Sequence, residues 1–355
     1  MDDFLIIGGG VAGTSAGARL AKLGQVRLLE AEDALAYHAS GRSAALFEES
    51  YGTPAVVAMN HASRRYHEDA GYLTPRGLMV VGAKGQDAQL VDDLNKMKLD
   101  AISVDEARAF MPILNPDALC GAGYHSDALD IDTDRLVQGY AGDLRTNGAI
   151  VTGAKVTAIT KKSNGWQVET AKGVFQGRHL VNAAGAWVDD VATMAGVVPI
   201  GIRPLRRSMA RIPAPGGLDV SGWPMVLNAG ETWYAKPDAG ALIVSPADAE
   251  LTTPHDAWAD DMVLAEGLAR YEEMVTEPVT RVISNWAGLR SFTPDGNLAI
   301  GPAADDPSFI WFAGQGGYGM QSSPAASQLL ADIVGGTPSE LDAKTVASLA
   351  AARFG

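Results

Sequence analysis

Cysteine is almost absent. Cys120 is the only one in 355 residues, so no intrachain disulfide and no thiolate metal cluster can form. Within Ala118-Leu-Cys-Gly-Ala-Gly it reads as a packed residue at a strand start rather than a nucleophile. Histidine is scarce too. His38, His61, His67, His125, His179 and His255 include no i,i+4 pair and no HExxH, so no metal site is expected. Basic residues are outnumbered, 28 against 42 acidic, and the formal charge of −14 argues against nucleic acid as a partner. No apolar run reaches about 18 residues, so no membrane-spanning helix is expected. The first apolar run starts at residue 3, without a basic leader ahead of it, so no secretion signal is expected, and the lone cysteine fits a reducing cytoplasm.

What the chain does have is apolar residues, 47% of the total, and length beyond the usual single domain. Two interlocked domains are expected. Its most informative stretch is the first thirty residues. An apolar run at 3–7 meets Gly8-Gly-Gly-Val-Ala-Gly13, residues 14–23 read as a helix, and the run 25–29 ends on Glu30. Strand, glycine turn, helix, strand and acid is the order that binds a dinucleotide. Gly8 permits the turn, Gly10 lets backbone approach a pyrophosphate, and Gly13 with Gly17 lets the helix pack closely on the sheet. The helix N-terminus offers N–H groups to phosphate, and Glu30 accepts from ribose hydroxyls while repelling a 2′-phosphate. The same stretch spells a hydrolase elbow, Gly13-Thr-Ser-Ala-Gly17. That motif needs its serine at the strand-to-helix turn, and Ser15 falls inside the helix.

Further along, Tyr37-His-Ala-Ser-Gly-Arg-Ser-Ala-Ala45 is a small-residue turn, with a helix expected near Ser43 to aim another N-terminus at the ligand. Helices are expected at 54–66, 87–97 and 267–274. Ser103 and Glu106 form a capping-box pattern. A helix is expected from Asp130 to Asn147, with Gly148 as its C-cap. Asp130-x-Asp132-x-Asp134 is no calcium loop, because Arg135 and Ala141 stand where glycine and glutamate are needed. Strands are expected at 149–159, 203–212, 223–227, 232–236, 241–245, 279–283 and 310–314. Residues 179–187 repeat the opening theme of an apolar strand running into a small-residue turn, and the late strand 310–314 meets a glycine-rich turn, 315–323, that opens the last long helix. Segments 5–13, 38–45, 182–187, 288–290 and 314–320 therefore point to one long ligand touched from both ends of the chain, which suggests a flavin.

These residues resemble the D-amino acid oxidase and glycine oxidase family of FAD enzymes. The likeness lies in the opening motif, His38-Ala-Ser-Gly-Arg-Ser-Ala-Ala45, Val181-Asn-Ala-Ala-Gly-Ala-Trp187, Trp286-Ala-Gly-Leu-Arg-Ser-Phe292 and Gly314-Gln-Gly-Gly-Tyr-Gly319. It covers nearly the whole chain. Tyr51-Gly-Thr-Pro54, Asp130-Ile-Asp-Thr-Asp134, Arg206-Arg-Ser208 and Lys236-Pro-Asp-Ala-Gly240 resemble the D-arginine dehydrogenase subgroup most.

The resemblance implies an α/β fold: a Rossmann-like FAD-binding domain (1–75, 130–200 and 296–355) interleaved with an antiparallel-sheet substrate domain (76–129 and 201–295). It implies noncovalent FAD. The cradle would take Gly8, Gly10, Val11, Ala12 and Gly13, then Glu30 and Ala31, then Arg42, Ser43, Ala44 and Ala45. Val156, Ala184, Gly185 and Trp187 would follow, with Gly288 and Arg290. Gly314, Gly316, Gly317, Tyr318, Gly319 and Met320 would complete it.

The implied reaction is oxidative deamination of a D-amino acid. The α-hydrogen passes as hydride to flavin N5, and the imine hydrolyses to a keto acid and ammonia. Arg290 and Tyr234 would grip the substrate carboxylate, with Arg207 nearby and Tyr51 closing over the site. An unidentified electron acceptor would complete turnover, with the protein cytoplasmic or peripheral at the inner membrane through that acceptor.

The side-chain pocket departs from the arginine subgroup. Leu78 stands where an acid would hold the guanidinium, Leu46 replaces a histidine and Glu48 a threonine. A buried guanidinium without its partner costs about 3–5 kcal/mol, two to four decades in affinity. D-arginine is therefore not the expected substrate. Leu46, Leu78, Met225 and Leu227, with Gly317, make the pocket apolar, and Glu48 is left to meet a polar or cationic group, it or Glu49 standing in for the missing acid. Two alternatives stay open. One is a glycine or sarcosine oxidase, or a 2-hydroxy acid or glycerol-3-phosphate dehydrogenase. The other is a flavin-binding redox sensor without turnover.

Overall fold

The structure is a computed structural model describing residues 1–355. Five parallel strands form its central layer, in the order Gly148–Val151, Val26–Leu29, Asp2–Ile7, Gly173–Asn182 and Phe309–Ala313. Ala299–Pro302 adds an antiparallel edge. The strands Asp2–Ile7 and Val26–Leu29 read as near-continuous apolar runs because helices and hairpins cover both faces. Val11–Leu20, Thr133–Leu144, Gly319–Gly335 and Pro54–Asp69 pack over one face. The first half of Gly173–Asn182 turns to pair antiparallel with Gly165–Thr170, which pairs in turn with Val156–Lys162. No helix is long and apolar enough to cross a membrane.

A second, nine-stranded sheet is antiparallel apart from one parallel pair, Leu78–Ala83 with Met225–Asn228. Its longest pairing joins Arg203–Pro213 to Ser284–Phe292. Along the latter, Ala287, Leu289 and Ser291 are buried and Trp286, Gly288, Arg290 and Phe292 alternate with them. This period of two fixes the register, since a one-residue slip would turn the buried set outward. A small third sheet holds Leu46–Phe47, Leu129–Ile131 and Leu73–Pro75.

Several local expectations fail for tertiary reasons. Residues 279–283 are irregular, and the strand begins only at Ser284. The expected helix near Ser43 is a short 3-10 turn, Ala39–Arg42, and the next regular element is the strand Leu46–Phe47. Ser40 Oγ is taken by the N–H of Val11, and the Arg42 guanidinium is drawn to the carbonyls of Ala257 and Ala287. The helix expected from Asp130 begins at Thr133. Asp132 caps it, while Asp130 lies in a strand and pairs with Arg76 and Lys236. Gly148 opens a strand against Val26 instead of capping that helix.

The single strand expected at 149–159 is two. The break brings Ala154 N–H onto the Glu30 carbonyl at 2.7 Å. The capping box at Ser103 and the helix Asp87–Met97 are as expected. The first helix starts at Val11, so Ser15 is buried within it and donates to the Ala12 carbonyl.

Candidate active site

One cavity of about 840 Å³ runs from Glu30 to Leu78, between the central layer and the second sheet. Its glycine turn is steric in origin. Gly8 has φ +109°, and a Cβ there would stand 2.4 Å from the Ala183 carbonyl oxygen. A Cβ on Gly13 would stand 1.8 Å from the Gly8 carbonyl oxygen, so Gly13 closes the turn from behind. Gly17 makes room chiefly for Leu144 of a neighbouring helix, more than for the sheet. Glu30, at the end of its strand, is buried and accepts from the N–H groups of Gly9 and Glu32. Burial raises its carboxyl above the usual range, against the pull of those two donors.

Most of the residues named from the sequence line this cavity together. Gly8, Gly10, Val11, Ala12, Glu30 and Ala31 do so at one end, with Val156, Ala184, Gly185 and Trp187 beside them. Ser43, Ala44, Ala45, Gly288, Gly316, Gly317, Gly319 and Met320 line its middle. Three named residues stand outside it. Gly13 lies behind the turn, and Gly314 packs against Thr293. Tyr318 supports the wall, edge-on to Tyr51 and Phe292 at 5.4 and 6.0 Å. Arg42 lines the cavity, yet its guanidinium is engaged by Asp256 and the carbonyls of Ala257 and Ala287.

At the far end stand Tyr51, Arg207, Tyr234 and Arg290. Arg207 pairs with Gly288 in the sheet register, so Arg207 and Arg290 project from one face. Arg206, on the opposite face, ion-pairs with Glu250. Arg290 has no acidic partner: Nη2 donates to the Asp248 carbonyl at 3.4 Å, and Nε has no partner. Burial first, and then the Arg207 guanidinium, lower its pKa. The Tyr234 hydroxyl reaches only the Met209 thioether, at 3.6 Å, a weak acceptor that leaves it free for a better one. Burial pushes Tyr51 up to about 12, so its hydroxyl stays neutral.

Beyond them Leu46, Leu78, Met97, Met225 and Leu227 make an apolar wall. Glu48 is buried and occupied within the protein. Oε1 accepts from Ser50 N–H and Oγ, and Oε2 faces His125 Nε2 at 3.1 Å. Burial raises the Glu48 pKa, but the His125 and Ser50 hydrogen bonds outweigh it and the net shift is downward. Glu49 pairs with His61 and Arg64. Neither acid is left free for a ligand cation.

Sequence reasoning missed the segment of His255 and Ala257, which lines the cavity from the irregular stretch after Glu250–Leu251. It also missed Met97 and Gln321. None sits in a motif; only long-range contacts bring them here.

A helix N-terminus, a buried acid at a strand end and a continuous cavity between two layers fit a dinucleotide that reaches from phosphate cradle to substrate. The model of the FAD dependent oxidoreductase (DAO) family matches residues 3–333, and the chain belongs to that family. It is an FAD-dependent oxidoreductase, holding its cofactor noncovalently.

The chain is 24% identical to glycine oxidase of Pseudomonas putida, over 95% of this chain and 96% of that one. It is 23% identical to human mitochondrial dimethylglycine dehydrogenase, of which it spans 42%. Among solved structures, glycine oxidase from Geobacillus kaustophilus superposes with a TM-score of 0.82 at 21% identity, covering 97% of both chains. L-proline dehydrogenase from P. horikoshii gives 0.83 at 20% identity, covering 99% of this chain and 97% of that one. These likenesses show the fold.

Proposed function

We propose that the protein oxidises the C–N bond of a small α-amino carboxylate, of the glycine or N-methylglycine type. Arg290 carries this reading: a guanidinium facing the cavity with no carboxylate partner is a receptor for the carboxylate of a ligand. Bound FAD supplies the two-electron acceptor. The chain orients the substrate. Arg290 and Arg207 take the carboxylate, the Tyr234 hydroxyl donates to it, and Tyr51 excludes water. The central layer acts as the FAD-binding domain and the second sheet as the substrate domain. The similarity to glycine oxidase supports the substrate class.

A second reading, a D-amino acid with an apolar side chain, is favoured by the wall of Leu46, Leu78, Met97, Met225 and Leu227. D-Arginine is disfavoured because Glu48 is taken by His125 and Ser50. Anaerobic bleaching of the flavin separates these, using glycine, sarcosine, D-alanine, D-leucine, D-arginine, lactate and glycerol 3-phosphate. Glycine or sarcosine bleaching fastest supports the first reading, and D-leucine the second. Bleaching by no amine would overturn both.

A further inference from the structure

Tyr51 belongs to a turn, residues 48–51, that two buried amides hold. Gln321 Oε1 accepts from the Glu48 N–H at 3.0 Å, and its Nε2 donates to the Tyr51 carbonyl at 3.4 Å. Asn60 Nδ2 donates to the carbonyls of Glu49 and Tyr51 at 3.2 and 3.1 Å. Both side chains are almost wholly buried. A turn whose backbone groups are met by buried amides has few other ways to satisfy them.

The two amides differ in origin. Asn60 lies on Pro54–Asp69, the helix that follows the turn directly, and is a local tie. Gln321 reaches in from the other end of the chain, in the first turn of Gly319–Gly335. The residues just before it, Gln315 to Gly317, line the cavity, as do Gly319 and Met320. His67 Nε2 lies 3.0 Å from the Gln321 carbonyl and fixes its backbone.

We propose that Gln321 is a positioning residue for Tyr51, coupling the order of the cofactor turn at 314–319 to closure over the substrate. A ligand that settles that turn also sets the amide that holds Tyr51. The inference rests on Tyr51 closing the site as proposed above.

Hydrogen exchange on the substrate-free holoenzyme tests it without requiring any substrate to be known. Gln321→Met, close in volume and without either hydrogen bond, should speed exchange across 47–53 at least tenfold and leave Asp2–Ile7 unchanged. Removing FAD from the wild type should loosen 47–53 comparably, and removing it from the variant should add less than threefold. Asn60→Ala should also loosen the turn but leave it sensitive to FAD. With any amine that bleaches the flavin, Gln321→Met should raise KM at least tenfold and change kcat less than threefold. Unchanged exchange at 47–53 on removing FAD from the wild type would overturn the proposal, even were the variant not to fold. So would loosening in Gln321→Met that spreads to Asp2–Ile7. Absence of any amine oxidation would sink the proposed function and leave the exchange result standing.

Discussion

Asp248 and Arg290 are neighbours that make no ion pair. Asp248 gives Arg290 its carbonyl oxygen, at 3.4 Å, and turns its carboxylate onto the N–H and Oγ of Ser208, at 2.6 and 2.9 Å. The Asp248 carbonyl also accepts from Arg207 Nε at 2.7 Å. Two guanidiniums are thus aligned by one backbone oxygen while their charges stay uncompensated.

Arg290→Met should therefore separate function from stability. Losing two charge-assisted hydrogen bonds, each worth about 1.5–3 kcal/mol, should lower kcat/KM by roughly two to four decades. Tm should hold or rise, because an unpaired cation leaves a half-buried site. A fall in Tm would show that Arg290 has a structural partner after all.

His125 and Glu48 should give stability a pH dependence. The Glu48 hydrogen bond raises the His125 pKa against the opposing effect of burial, and Asp127 and Asp100 add to the rise. A raised histidine stabilises fully below its unfolded value, about 6.5, and loses that contribution as pH climbs through the folded value. Glu48, net lowered, contributes above its unfolded value and loses it as pH falls through the folded one. The Tm gap between wild type and His125→Gln should be widest near pH 6 and narrow toward pH 9. A gap that widens over that range would contradict the pairing.

Gly13→Ala should release flavin. The added methyl group meets the Gly8 carbonyl oxygen at 1.8 Å, and no side chain can yield because the obstacle is backbone. Overpacking of this kind costs about 1–3 kcal/mol. Flavin retained per protein after gel filtration should fall well below the wild-type ratio. Full retention would mean that the helix shifts without disturbing the turn.

Asp130→Asn should lower Tm more than Lys236→Met. Asp130 meets Arg76 and Lys236, each at 2.7 Å, so its loss leaves the buried Lys236 and the partly buried Arg76 facing each other. Breaking a buried pair from one side costs about 3–5 kcal/mol. Loss of Lys236 leaves Asp130 still paired with Arg76. Lys236 also donates to the carbonyls of Ala44 and Ala45, so its removal should loosen that turn. The reverse order of Tm values would show that these ties matter more than the charge balance.

What the sequence makes legible is what is local. The glycine turn, the acid at Glu30 and the capping box at Ser103 each state their geometry within a few residues. Arg207, named from the resemblance, is set apart from Arg206 on physical grounds only once the sheet places Arg206 on the opposite face, with Glu250 as its partner. The pairing of Glu48 with His125 spans 77 positions, and that of Gln321 with Glu48 spans 273. No periodicity connects such residues. Asp130 reads as a helix start because an acid before a polar stretch fits a cap, yet burial beside Arg76 and Lys236 claims it instead.

The Ala183 carbonyl beneath Gly8 has a consequence for biosynthesis. The floor of the phosphate cradle comes from residue 183, its far wall from beyond residue 310, and its first helix from residues 11–20. A chain emerging from the ribosome holds the glycine turn long before residues 315–320 are made, and it cannot enclose a flavin until they are. Cofactor capture thus waits on the segment beyond residue 310, and products cut short before it should accumulate colourless.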